Sequence, residues 1–403
     1  MAHTRPDVIL LFTARSVRLF AYGALSVVLA LYLHETGLSG PAIGLLFTLT
    51  LAGDAGITLW ITTVADRLGR KRMLLLGAGL MVLAGIVFSL TGDPVLLMIA
   101  GVIGVISPSG NEIGPFLSLE QAALSQLLPS EERTKSFGWY NLAGSLAAAC
   151  GALSGGFLSN SLLRSGYSEL TSYRAVVVVY AACGAVLMAL FLFLSSRVEA
   201  APAAPAVPRV LGLHASKRIV LKLSGLFALD AFAGGFVIQS MVAYWFHVRF
   251  NIDAAFLGSI FFGANILAGI SALLAARLAS RIGLINTMVF THIPSNVLLC
   301  LVPLMPTAGL AVLVLLARFS ISQMDVPTRQ SYTMAVVAPD ERSAASGVTT
   351  IARSVGAAVS PALAGVFLAS PTLLAVPFFV AGGLKIIYDL LLYRSFKKAD
   401  IMN

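Results

Sequence analysis

Charge is what this chain of 403 residues has least of: 11% of its residues are Asp, Glu, Lys or Arg, while 58% are hydrophobic. Its mean hydropathy is +0.90. A soluble domain carries about 25% charged residues, so the chain has too little polar surface to face water, and a soluble globular protein is excluded. Cysteine is scarce as well. Cys150, Cys183 and Cys300 stand far apart in apolar runs, with no CxxC or Cys/His spacing. That excludes a disulfide framework or a cysteine metal site, and leaves small hydrophobes for helix packing. No nucleotide loop, metal-ligand cluster or nucleophile motif is present, so no enzyme activity, metal or other cofactor is expected. The polar start MAHTRPD leads into no short apolar core with a small-residue cleavage site, so no cleaved signal peptide is expected.

What is there is length in apolar runs. A membrane helix needs about 20 mostly apolar residues, and turn signals divide the chain into twelve such spans. They fall near 8–33, 42–64, 73–91, 95–126, 138–160, 172–196, 221–248, 254–279, 286–306, 309–337, 343–368 and 372–394. The Ala/Pro-rich, basic stretch at 197–220 reads as a connector. The expected organisation is therefore a six-helix bundle over 1–196, a cytoplasmic linker over 197–220, and a second six-helix bundle over 221–403. With the N-terminus inside, eighteen of the 27 Lys and Arg are cytoplasmic, three (Arg164, Arg174, Arg249) lie outside and six fall within spans. This is the positive-inside asymmetry. The net charge of +9 is thus a topology signal with both termini cytoplasmic, and no nucleic-acid partner is expected.

An internal repeat supports two halves. ADRLGRKRM at 65–73 returns as ASRIGLINTM at 279–288, and LPSEERTKSFG at 128–138 returns as APDERSAASG at 338–347, with Arg133 matching Arg342 at an offset of 209. Parallel six-helix halves holding substrate at their interface are a transporter arrangement.

The loop DRLGRK, Asp66 to Lys71, resembles the signature G-x-x-x-D-R-x-G-R-K/R of the major facilitator superfamily, with Thr62 in place of the leading glycine. Gly69 permits a tight turn, and the charges stay on the wet side. The resemblance implies an all-α fold of twelve membrane helices in two pseudo-symmetric bundles, with Asp66, Arg67, Gly69, Arg70 and Lys71 as a gating loop that latches the halves. The fifth span is similar to the family's antiporter motif, G-x8-G-x3-G-P-x2-G-G. Gly138, Gly151, Gly155 and Gly156 match, while Ala147 and Ala152 replace the second glycine and the proline. Small residues there let helices approach closely. In the fourth span, Ser107 stands where the family usually has an arginine, while Arg318 falls within one residue of the equivalent place in the tenth.

LARFSISQMDVPTRQSY, Leu316 to Tyr332, puts Arg318, Asp325 and Arg329 in an otherwise apolar run. At 100° per residue the three fall on one helix face, with Pro327 as an expected kink. Other spans supply Arg15, Arg18 and Tyr22, then Asp54, level with Arg18, and next Asn111, Glu112 and Glu120. Asp230 and Tyr244 share one side of the seventh span, and Arg353 lies in the eleventh. Lys385 and Asp389, four apart, are expected to pair with each other, and His292 to be a packing histidine. Each charge costs at least about 2.5–3.5 kcal/mol at mid-bilayer unless paired or hydrated. Either salt bridges or a shared polar cavity must therefore hold them.

Asp54, Glu112 and Asp325 are candidates for proton coupling. Arg18, Tyr22, Asn111, Asp230, Tyr244, Arg318, Arg329 and Arg353 are candidates for a substrate cavity, whose arginines favour an anionic or zwitterionic small molecule. The expected function is proton-coupled transport of a small organic solute, as efflux antiport. Uptake of an organic anion by symport is the alternative, and a non-transporting receptor or scaffold comes from another class. The expected setting is a bacterial inner (plasma) membrane, the protein monomeric in the lipid bilayer, with small solute and protons as its partners.

Overall fold

The computed structural model describes residues 5–112, 114–199, 216–338, 341–370 and 372–397. Most of the expected connector, residues 200–215, lies outside them. The described residues form fifteen α-helices and no strand. They are α1 (Arg5–Glu35), α2 (Gly40–Leu68), α3 (Arg70–Leu90), α4 (Pro94–Ile103), α5 (Phe116–Leu127), α6 (Ser130–Arg164), α7 (Glu169–Leu192) and α8 (Lys217–Gly235). There follow α9 (Gln239–Phe250), α10 (Ala254–Ile282), α11 (Leu284–Leu301), α12 (Ala308–Ser322), α13 (Asp325–Ala335), α14 (Arg342–Leu368) and α15 (Val376–Phe396). Among the described residues, eleven stretches are long and apolar enough to cross a membrane. Large apolar side chains such as Ile9, Leu90, Phe193 and Leu313 are exposed, as a lipid-facing surface requires.

The fourth span departs from expectation. Rather than one helix over 95–126, it is two short ones, α4 and α5, joined by irregular backbone. Asp93 starts α4, its side chain accepting the Leu96 N–H at 2.9 Å, and the helix stops at Gly104. The joining sequence, GVISPSGNEIGP, is dense in glycine and proline, and Gly110 and Gly114 take φ of +68° and +82°, where an L side chain is strained. Irregular backbone survives at membrane depth only where its polar groups find partners. The Tyr180 hydroxyl donates to the Val105 carbonyl at 2.5 Å, the Ser107 hydroxyl to the Asn111 carbonyl at 2.8 Å, and both N–H and hydroxyl of Ser240 to the Pro108 carbonyl at 3.0 and 2.6 Å.

The tenth span is broken too. Gln323 and Met324 separate α12 from α13, so the straight helical face drawn through Arg318, Asp325 and Arg329 does not exist as one surface. The seventh span breaks between Gly235 and Gln239. Asp230 and Tyr244 consequently do not share a helix side.

Helix contacts divide the described residues into two compact units. One holds 5–199 with 239–262, the other 216–238 with 263–397. In the first, α1 packs against α6 and α7, α3 against α7, and α2 against α4; in the second, α8 packs against α14 and α15, and α11 against α12, α13 and α15. The α1–α6 seam is made of small residues. A Cβ at Gly151 would overlap the Phe20 carbonyl, and one at Gly155 would fall 2.6 Å from the Ala24 carbonyl oxygen. Gly156 packs on Ala254 and Gly258, whereas Gly138 has open space beside it and takes no part in the seam. Gly151→Val should therefore cost at least about 1–3 kcal/mol by overpacking, and Gly138→Ala little. Thermal unfolding of the two purified variants checks this, and equal loss in both would contradict the seam.

Candidate functional site: buried ion networks

In the first unit, Arg15 and Arg18 lie one turn apart on α1 and reach the same acid. Arg15 Nη1 donates to Glu112 Oε2 at 2.8 Å and Arg18 Nε to Glu112 Oε1 at 2.7 Å. The break in the fourth span brings Glu112 there, since it sits on the irregular stretch just before α5. Arg18 then grips Glu120 of α5 with both terminal nitrogens, each at 2.7 Å. This bidentate geometry suits guanidinium and carboxylate, and both side chains are fully buried. Tyr140 of α6 donates its hydroxyl to the same Glu120. Arg15 completes the cluster by donating to the Asn141 side chain at 3.2 Å and lying over the Tyr140 ring. Asp54, placed level with Arg18 by the sequence, is not among its hydrogen-bond partners.

Asp54, on α2, stands apart. Its buried Oδ1 has no hydrogen-bond partner, and neither does the Thr58 hydroxyl one turn further on. The fully buried Tyr22 stacks on Tyr180 with ring centroids 6.4 Å apart, and its hydroxyl is also unpartnered. Asn111 is exposed, its backbone engaged by Ser107 and Ser109. Tyr244, in α9, packs edge-on against His34, with its hydroxyl 3.5 Å from the imidazole Nδ1.

In the second unit the hub is Asp230 of α8. Lys385 Nζ approaches Oδ1 at 2.6 Å; Arg329 and Arg353 reach Oδ2 at 3.0 and 3.4 Å. Arg329 also pairs with Asp325, one turn before it, at 3.0 Å. Lys385 therefore belongs to Asp230 and not, as its i,i+4 spacing implied, to Asp389. Asp389 instead accepts from His292 Nδ1 at 2.9 Å and from Asn296 at 3.1 Å. His292 is thus a buried histidine hydrogen-bonded to a carboxylate. Arg318 is half-buried over the Phe319 ring, its Nε unpartnered, and it forms no ion pair among the described residues.

Gly69, at φ +102°, turns α2 into α3. The N-terminus of α3 is held by a residue that sequence reading missed: Glu199 accepts the Arg70 N–H at 2.6 Å and the Lys71 N–H at 3.3 Å, an acid at the positive end of a helix. Lys71 Nζ donates to the Leu192 and Leu194 carbonyls, both at 2.7 Å, and Arg70 to the Gln126 side chain at 3.2 Å. Arg67 is exposed. The Asp66 side chain lies outside the described ones. No group of His, Cys, Asp and Glu with metal-holding geometry is found among the described residues.

The model of the Major Facilitator Superfamily matches residues 11–361. The chain belongs to that family. It is an integral membrane protein and a secondary transporter, not an enzyme. An uncharacterized membrane protein of Saccharomyces cerevisiae, YJR124C, is 29% identical over 425 residues, covering 98% of this chain and 95% of its own length. The quinolone resistance protein NorA of Staphylococcus aureus is 27% identical over 137 residues, 34% of each chain. The structure of the nucleoside transporter NupG superposes with a TM-score of 0.75 at 15% identity, over 97% of this chain and 99% of that one, a likeness of fold alone.

Proposed function

We propose that the protein exports a small organic solute in exchange for protons, from a bacterial plasma membrane with both termini cytoplasmic. The observation that carries the proton coupling is Asp54. Glu112 is tied to Arg15 and Arg18, and Asp325 to Arg329, so protonating either breaks an ion pair. Asp54 has no ion pair to break, and its buried Oδ1 is unengaged. A proton can therefore bind at Oδ1 without breaking an ion pair. The partial likeness to NorA, whose name records quinolone resistance, supports export of a small organic molecule.

A second reading, uptake of an organic anion together with a proton, draws on the charge balance of the second unit. Among the mid-span charges named above, Arg318, Arg329, Arg353 and Lys385 outnumber Asp230, Asp325 and Asp389, and Arg318 has no ion partner among the described residues. A guanidinium in that state can take a carboxylate or phosphate.

Proteoliposomes with an imposed pH gradient separate the readings. Solute moving against the proton supports antiport, solute moving with it supports symport, and no movement would leave a receptor or scaffold. In the same vesicles, Arg318→Ala should depress flux of anionic solutes by roughly tenfold or more, the scale of one lost charge-assisted hydrogen bond, and spare neutral ones. Equal loss for both would make Arg318 a structural residue.

A further inference from the structure

We propose that the start of α11, in the second unit, is a binding site for a phosphate group, completed by Tyr332 and Lys397. The inference stands apart from the proton-coupled reading above and holds for either direction of transport.

A cavity of about 280 Å³ lies at residues 283–286, against Tyr332 of α13 and Tyr393, Phe396 and Lys397 where α15 ends. Gly283, at φ +87°, turns α10 directly into α11. The N–H groups of Leu284, Ile285 and Asn286 precede the first intrahelical bond, which Thr287 donates to the Gly283 carbonyl at 3.0 Å. They find no acceptor among the described residues. The Asn286 side chain turns the other way and donates to the Ile282 carbonyl at 2.7 Å. Three free N–H groups and the helix dipole make this end electropositive, a setting that favours an anion. Lys397 adds a full positive charge, and no lining residue is acidic. Its ammonium lies 4.8 Å from the Tyr393 ring centroid and has no ion partner among the described residues.

A second observation, independent of the helix end, points to a ligand. Tyr332 is 1% exposed, and its ring packs edge-on against Phe396 with centroids 5.9 Å apart. It lines the cavity, and its buried hydroxyl has no hydrogen-bond partner among the described residues. Buried hydroxyls are ordinarily satisfied. Hydroxyl, backbone N–H groups and ammonium are all donors, so the group that answers them together is anionic and accepts several hydrogen bonds, as a phosphate does. The first unit supplies the precedent. Gly69 stands 214 positions before Gly283, and the Arg70 and Lys71 N–H groups beside it hold the Glu199 carboxylate. Leu284 and Ile285 carry the corresponding N–H groups. There the described residues provide donors and a cavity instead of an acid. The charge asymmetry assigns this end of the second unit to the cytoplasm, where soluble phosphates and anionic lipid headgroups both reach it.

Thermal unfolding of the purified full-length chain tests this, with inorganic phosphate titrated against chloride at constant ionic strength. Binding to the folded state raises the midpoint. Lys397→Gln should need roughly tenfold more phosphate for the same rise, and Tyr332→Phe roughly two- to tenfold more, the scales of a charge-assisted and a neutral hydrogen bond. Tyr332→Phe keeps the ring on Phe396, and Lys397 is exposed, so neither change should lower the midpoint without phosphate. A parallel series in nanodiscs of phosphatidylcholine, with and without phosphatidic acid, separates the two sources. A rise with inorganic phosphate assigns the site to a soluble phosphate, and a rise with phosphatidic acid alone assigns it to a lipid headgroup. Either supports the site when both substitutions weaken it. No rise with either probe, or a rise that neither substitution weakens, overturns it. So does a phosphate response that appears only after Asp400→Asn, since an acid of this chain would then be filling the cavity.

Discussion

Arg18→Met should be the most destabilising single substitution in the buried networks, costing about 3–5 kcal/mol, the scale of a buried ion pair broken from one side. Arg18 and Glu120 are both fully buried, and the guanidinium supplies Glu120 with two bonds of 2.7 Å. Without it, Glu120 keeps, among the described residues, the Tyr140 hydroxyl, a neutral donor, while Glu112 retains Arg15. The uncompensated charge is therefore Glu120. Adding Glu120→Gln removes that charge while leaving an acceptor for Tyr140, so the double variant should recover most of the loss. Arg329→Met leaves Asp230 with Lys385 and Arg353 but takes the ion partner from the buried Asp325, so it too should destabilise. The measurement is the thermal unfolding midpoint of each purified variant. A double variant no more stable than Arg18→Met alone would mean that the guanidinium acts through packing on Phe116 and not through charge.

These pairs also explain what the sequence could and could not reveal. The long apolar spans and the DRLGRK turn between α2 and α3 were legible because they depend on composition and local spacing. The breaks in the fourth and tenth spans were not, because hydropathy counts apolar residues and is blind to where the backbone leaves the helix. The clustering of Gly104, Pro108, Gly110, Gly114 and Pro115 was the available signal. Ion partners escaped for a related reason. Lys385 and Asp389 have helical spacing, yet Lys385 finds Asp230, 155 positions away, at 2.6 Å. Only the fold brings that partner close.

One relation between the units was hidden by its sign. The inner parts of the two broken spans, α5 and α13, begin at 116 and 325, the same offset of 209 seen in the loop repeat. Glu120 and Arg329 stand at matching places by that offset. Glu120 is held by Arg18 of the first span, and Arg329 by Asp230 of the seventh. The same pair of spans is tied in each unit with acid and base exchanged, although Arg18 and Asp230 are 212 positions apart rather than 209. A search for repeated residues scores Glu against Arg as a mismatch, so the repeated contact leaves no repeated letter. What is preserved is the neutral sum of each pair, which is what burial away from water demands.

Asp54→Asn should reduce gradient-driven transport to the level of empty liposomes without lowering thermal stability. The stability half follows from the absence of an ion partner: an amide in place of a carboxylate at Asp54 removes no salt bridge, and it offers an N–H that the buried Thr58 hydroxyl, unpartnered in the wild type, can accept. The transport half follows from the proton. An amide does not titrate, so the step in which a proton binds from one side and leaves to the other is lost, while solute still binds and exchanges. Solute–solute counterflow in the absence of a gradient should therefore persist in the variant. Glu112→Gln should behave differently, losing counterflow and thermal stability together, because Arg15 and Arg18 both lose a charged partner. Wild-type response to the pH gradient in Asp54→Asn vesicles would remove Asp54 from the coupling path. A variant that melts early would show instead that the carboxylate is held by a partner within its own helix bundle.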